Sequence, residues 1–179
     1  MSFLDRMNLM KKPVFLVFFT LALAVFVQFA HAGQPRFLQA YGDWDTYVFT
    51  EGDGKVCYMA SRPKTDEGDY TRRGEIYAYI THRPAEGTRD VFGYVAGYTY
   101  KAGSEVEVTI GGETMTLFTQ EDKAWALDED ADAKIVDLIK KGSSMVVRGV
   151  SSRGTKTKDT YSLSGSTKAY QRINQECGL

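Results

Sequence analysis

Asp159-Thr160-Tyr161-Ser162-Leu163-Ser164-Gly165-Ser166-Thr167-Lys168-Ala169-Tyr170-Gln171-Arg172-Ile173-Asn174-Gln175-Glu176-Cys177 is the stretch on which the fold turns. It predicts a strand, a glycine turn and a short helix ending on a cysteine. Ser166 stands where a helix N-cap belongs. Ala169, Tyr170, Ile173 and Cys177 fall near one helical stripe, which turns the cysteine inward. The chain has one other cysteine, Cys57. A bond between the two would fasten the last helix to an early strand and close nearly the whole domain.

Whether that bond forms depends on the compartment, and the amino-terminal residues speak to it. Arg6, Lys11 and Lys12 precede an apolar run from Pro13 to Ala30, and Ala30-His31-Ala32 supplies a small-x-small cleavage pattern. Residues 1–32 therefore read as a signal peptide cleaved after Ala32. An uncleaved anchor is the alternative, and that segment would then be the chain's one membrane contact. Export to the periplasm or beyond favours a Cys57–Cys177 disulfide over two free thiols. With no Cys-x-x-Cys motif, the spacing does not favour a redox-active pair.

Cleavage leaves residues 33–179, the size of a single domain with one core. Removing Arg6, Lys11, Lys12 and Asp5 from 22 basic and 23 acidic residues leaves 19 against 22. A slightly acidic domain gives no electrostatic footprint for nucleic acid.

Residues 33–40 read as a loose lead-in, and Tyr41 to Phe49 as a first strand. Gly52-Asp53-Gly54 turns it back into Lys55 to Ala60, a hairpin that carries Cys57. Ser61 to Gly74, rich in charge and holding Pro63 and Gly68, reads as a loop. In Glu75 to Thr81, Ile76, Ala78 and Ile80 share one face and Tyr77 and Tyr79 the other. Val91 to Tyr100 carries no charge and reads as a central strand, its glycine parity admitting a close neighbour.

The next hairpin can be checked by register. With Gly111-Gly112 as a two-residue turn, Ile110 faces Glu113, Val108 faces Met115 and Val106 faces Leu117. Both apolar pairs then fall on one face. Acids from Asp128 to Asp132, lysines at 140 and 141 and Gly142 bracket a helix over about 131–141 with Ile135, Leu138 and Ile139 buried. Met145 to Val150 is a strand, and Ser151 to Lys158 a polar basic loop. These elements make the fold class mainly β: an antiparallel β-sandwich or part-closed barrel with two short helices, about 131–141 and 166–177.

Chemistry-bearing motifs mostly fail on inspection. His82 is the one histidine of the mature chain, with no nucleophile or orienting partner that spacing can assign. Asp128, Asp130 and Asp132 open like a calcium loop, but Ala133 and Ile139 stand where glycine and glutamate are required. Gly149 to Thr157 misses a phosphate-binding loop because Thr155 separates Gly154 from Lys156. Ser61-Arg62-Pro63-Lys64 matches Ser-x-x-Lys without either companion motif. No catalytic residue, metal ligand or cofactor is assigned. Two surfaces stay open as binding candidates. Tyr77, Tyr79, Tyr94, Tyr98 and Tyr100 could stack on sugar rings if they face solvent, against ordinary core packing. Arg148, Arg153, Lys156 and Lys158 could contact anionic lipid or phosphate, against a simply solvated hairpin tip.

Taken together, Tyr41-Gly42-Asp43-Trp44, Lys55-Val56-Cys57-Tyr58, Thr81 to Gly87, Gly103 to Val106 and Ala124-Trp125 resemble the invasion-associated locus B family of exported proteobacterial proteins. The likeness continues through Lys140 to Ser143, Arg153-Gly154-Thr155, Asp159 to Gly165 and Glu176-Cys177, spanning nearly the whole mature chain. Some family members carry a further cysteine after the early tryptophan, where this chain has Thr46, Tyr47 and Val48. The resemblance implies a β-rich protein of the periplasm or envelope, with no established catalytic activity, cofactor or active site. The expected function is non-catalytic binding of an envelope or host partner, with carbohydrate or peptidoglycan binding as the alternative and a hydrolase a distant third.

Overall fold

The computed structural model describes residues 33–179, so the signal segment expected over 1–32 and its cleavage site lie outside the described residues. Its elements are β1 (Arg36–Tyr41), β2 (Trp44–Glu51), β3 (Gly54–Ser61), β4 (Thr65–Gly68), β5 (Tyr77–Arg83), β6 (Thr88–Val95), β7 (Val106–Ile110), β8 (Glu113–Gln120), β9 (Lys123–Trp125), α1 (Glu129–Lys141), β10 (Ser144–Val150), β11 (Lys156–Ser162) and α2 (Ser166–Cys177). The strands form one antiparallel sheet in the order β1-β2-β3-β5-β6-β9-β8-β7-β10-β11-β4. It is mainly β with two helices, as the sequence predicts. Edges β1 and β4 leave the sheet open.

The β7–β8 hairpin takes the register set by its alternation, with Val106 opposite Leu117, Val108 opposite Met115 and Ile110 opposite Glu113. The first half of β8 pairs with β7 and its last residues with β9. There the sheet turns over, and its two halves face each other across a core of Phe92, Tyr94, Val106, Val108, Met145, Val147 and Tyr161. A buried ion pair joins the halves. Arg73 donates to both carboxylate oxygens of Asp159 (2.6 and 2.7 Å) and to the Ala96 carbonyl (2.7 Å). The Tyr94 hydroxyl donates to the same carboxylate. The ring of Tyr98 lies 5.0 Å from the guanidinium carbon. Burial opposes the charge on Arg73, but the hydrogen bonds and field of Asp159 hold it firmly protonated.

α2 packs on β2, β3 and β5, covering Trp44, Cys57 and Met59, while α1 packs on β6. Cys57 and Cys177 are disulfide-bonded with Cα atoms 6.0 Å apart, as expected from export and cysteine count. The Trp44 indole N–H donates to the Ser162 carbonyl (3.2 Å), which brings the first hairpin against the end of β11.

Four local expectations are corrected. Residues 36–40 of the expected lead-in, with Tyr41, form edge strand β1, paired to β2 through the turn at Gly42 (φ 59°). Thr65–Gly68 within the expected loop is edge strand β4, paired to β11; its exposed, charged residues carry no alternation to betray it. The expected strand to Tyr100 ends at Val95, because Gly97 (φ 71°) turns the chain against Gly74. Ser166 does not cap its own helix. Gly165 (φ 88°) holds that position, and the Ser166 hydroxyl donates instead to Ile139 O of α1 (2.9 Å).

Candidate functional site

Alternation along β2, β3 and β5 sends Trp44, Thr46, Val48, Cys57, Met59, Ala78, Ile80 and His82 inward. The opposite parity presents Tyr47, Phe49, Tyr58, Ala60, Tyr77, Tyr79, Thr81 and Arg83 on the other face of the sheet. Together with Asp43, Asp45, Arg62, Pro63, Lys64 and Lys123 these residues line an open groove of about 650 Å³. Ala60 sits on its floor between taller neighbours. Tyr47 and Tyr58 are cross-strand partners whose rings stack 4.9 Å apart, 14° from parallel. Phe49 meets the edge of the Tyr58 ring at 6.1 Å.

Tyr79 owes its position to the absence of a side chain on the next strand. Its cross-strand partner is Gly93, and a Cβ there would clash with the phenol end of Tyr79, at Cζ and the hydroxyl oxygen. The Tyr79 ring therefore lies across the β6 backbone instead of standing over the groove. The Trp125 indole N–H, beyond Gly93 on β9, donates to the Tyr79 hydroxyl at 3.2 Å. Burial pushes the Tyr58 and Tyr79 hydroxyls upward from their ordinary values, so both stay protonated and available to donate at neutral pH.

The rim is polar and balanced in sign. Lys64 pairs with Asp43, and Arg62 with Glu75. Arg83 lies 3.3 Å from Glu51 and 3.6 Å from Glu86, and Lys123 lies 3.6 Å from Asp122. These are mostly exposed pairs, each worth at most about 1 kcal/mol, so exchange for a ligand's groups is cheap.

The five tyrosines expected to form one ligand face are divided by the fold. Tyr77 and Tyr79 line the groove. Tyr94 and Tyr100 are core residues, 1% and 5% exposed. Tyr98 is half-buried, its hydroxyl 2.6 Å from that of Thr157. The expected row including Tyr94, Tyr98 and Tyr100 is therefore corrected: Tyr94 shares its parity with inward-facing Phe92, and the turn at Gly97 redirects residues 98–100.

Arg148, Arg153 and Lys156 are exposed at the β10–β11 hairpin. Lys158 pairs with Glu67 at 2.9 Å, and Arg148 stands opposite Glu107 in register, so the basic set is interleaved with acids. His82 is wholly buried; its Nδ1 accepts the Asp90 N–H at 3.0 Å and its ring meets Tyr170 edge-on. Burial lowers its pKa, with Asp90 pulling the other way. Among the described residues no group of three or more His, Cys, Asp or Glu could hold a metal ion.

Sequence reasoning missed Tyr47, Phe49, Tyr58 and Trp125 as members of this surface, and Arg73 as the partner of Asp159. Tyr47 and Tyr58 had a readable signal, since both lie on the outward parity of a recognised hairpin. Trp125 and Arg73 had none, because their neighbours come from strands distant in sequence.

No curated protein and no solved structure matches the chain. The family model described as invasion associated locus B (IalB) protein matches residues 44–174, from Trp44 at the start of β2 to Asn174 in α2. That span takes in ten of the eleven strands, the groove apart from Gly42 and Asp43, and the buried ion pair. The chain therefore belongs to the invasion-associated locus B family.

Proposed function

We propose that this is a non-catalytic, exported envelope protein that works by binding, with the aromatic groove over β2, β3 and β5 as its binding surface. The observation that carries the reading is the groove itself: five aromatic side chains, concave and open, with no role in closing the core. Binding pockets combine such apolar surface with a few convergent polar groups. Export is supported by the disulfide, which persists in oxidising compartments, and by family membership. Among the described residues no helix is long and apolar enough to cross a membrane. The non-catalytic part rests on His82, whose Nδ1 is already engaged by the backbone inside the core.

The test is site-specific photo-crosslinking in cells. A photo-reactive residue replacing Arg62 at the groove rim should capture envelope material, whereas one replacing Thr116 on the other half of the sheet should not. Equal capture from both positions, or none from Arg62, would overturn the reading. Carbohydrate is the ligand class that one arrangement in this face favours.

A further inference from the structure

The groove is the deepest part of a longer aromatic band. Across seven neighbouring strands, each contributes at least one large aromatic side chain to the same face, with one exception. Phe37 on β1 meets Tyr47 on β2 at 5.6 Å, and Tyr47 stacks on Tyr58 of β3. The band steps by two residues to Tyr79 on β5, continues to Trp125 on β9, and ends at Phe118 on β8, 5.8 Å from the Trp125 ring. The exception is β6, where Gly93 stands in register between Tyr79 and Trp125 and is roofed by the Tyr79 ring. Six inter-strand spacings of ~4.8 Å make the band about 29 Å long, running across the strands. Phe37 and Phe118, at its two ends, are among the most exposed large apolar residues, 52% and 41%.

Resting on the reading of the groove as the binding surface, we infer that the band is a platform for a glycan chain, with pyranose rings lying on Tyr79 and on Trp125–Phe118, while the stacked Tyr47–Tyr58 pair, whose faces cover each other, offers its edges as a wall beside them. Three features point to this class. First, the middle rings are already locked. Tyr47 is stacked, Tyr79 rests on backbone and holds the Trp125 N–H, so little side-chain freedom is lost when a ligand arrives. Second, a ring lying along the sheet has one face on Gly93 and turns the other outward, as stacking on the flat face of a sugar requires. Third, the rim offers donors and acceptors in equal measure, Arg62, Lys64, Arg83 and Lys123 each beside a carboxylate. A row of hydroxyls matches such a rim better than a strongly charged ligand does. An anionic bilayer surface, the competing occupant for an aromatic belt, would be opposed by those same carboxylates.

Gly93 is the position that makes the platform. Gly93→Ala would lift the Tyr79 ring off the sheet and into the groove, blocking the band at its centre.

The test is calorimetric titration of the purified protein with chitohexaose, cellohexaose and polygalacturonate, in parallel with sedimentation on vesicles rich in anionic phospholipid. Binding of a neutral hexasaccharide is expected, weakened about tenfold or more by Tyr79→Ala and by Trp125→Ala. Gly93→Ala should abolish it, but in a Tyr79→Ala background should add nothing, since the ring it displaces is gone. Thermal melting of each variant separates loss of the platform from loss of the fold, and Tyr79→Phe, which keeps the ring, should retain most of the affinity. No binding of any neutral glycan, binding indifferent to Tyr79 and Trp125, or binding only to polygalacturonate or to vesicles would overturn the inference. If glycans fail while crosslinking from Arg62 still captures envelope material, the groove remains the binding surface and only its ligand class falls.

Discussion

Asp132 and His82 are buried titratable groups on elements that both pack against β6, and they push acid stability in opposite directions. Asp132, in the first turn of α1, accepts the Phe92 N–H at 2.8 Å. Burial outweighs that hydrogen bond and raises its pKa from 3.8 to about 6. Between those values the folded chain holds a proton the unfolded chain has released, so stability falls as pH rises from about 4 to about 6 and stays reduced above. His82 is lowered from 6.5, so below about 6.5 the unfolded chain takes up a proton that the fold resists. Its contribution falls as pH drops from 6.5 toward the lowered value. Asp132→Asn keeps an acceptor for the Phe92 N–H and removes the buried charge. We expect it to stabilise by roughly 1–3 kcal/mol at pH 7 and to unmask the His82 loss on acidification, measured by urea unfolding at pH 4, 5, 6 and 7. An unchanged pH profile would sink this account. Neither role is legible in the sequence: as dipole partners of a helix, the acids at 128–132 fit exposed Glu129 and Asp130 but not Asp132, the one turned inward.

At the scale of elements, the two helices finish one another. The last carbonyls of a helix have no partner within it, and in α1 two are taken by α2. Ser166 donates to Ile139 O at 2.9 Å and Thr167 to Lys140 O at 2.8 Å. Gly142 lets this junction close. Its φ of −80° needs no glycine, but a Cβ there would lie 2.8 Å from Ile110 and 3.0 Å from Leu163. Ser166→Ala should leave a buried carbonyl unpaired and cost about 1–3 kcal/mol, read as a lower urea midpoint with unchanged slope. A neutral result would mean the Ile139 carbonyl finds another donor. The disulfide belongs to the same scale. It closes a loop of 120 residues, worth at most about 4–5 kcal/mol in chain-entropy terms, so reduction should lower the melting temperature sharply, whereas a coincident melt with and without reductant would show the staple idle. Hairpins and helices are legible in the sequence because their signals are local: parity around Gly111-Gly112, acids before and lysines after α1. The Ser166 contact is not, since its acceptor lies 27 residues away.

For the whole molecule, the illegible part is which strands become neighbours. Alternation places Tyr77 and Tyr79 correctly against Ile76, Ala78 and Ile80, yet their companions Trp125 and Phe118 depend on β9 and β8 succeeding β6 in the sheet. The bend that opposes the two halves is likewise invisible in any window, and so is the ion pair at its centre. Arg73 and Asp159 are 3% and 1% exposed as side chains. Arg73→Ala leaves a buried carboxylate uncompensated and should cost about 3–5 kcal/mol, a large share of a typical stability of about 5–15 kcal/mol. Chemical denaturation tests it; a loss under about 1 kcal/mol would mean Asp159 is neutralised by other means.

The covering of β2 and β3 by α2 has a consequence for the order of events during synthesis. Residues 36–61 can pair among themselves as soon as they emerge, but the apolar side that holds Trp44 and Cys57 stays bare until residues 166–177 arrive. Edge strand β4 waits just as long, since its ladder is with β11. Such non-local closure makes for slow folding, on the order of milliseconds to seconds. Throughout that interval the thiol of Cys57 stands without its mate, so in an oxidising compartment the unfinished chain would have to be shielded, or finished quickly, to avoid pairing with a stranger.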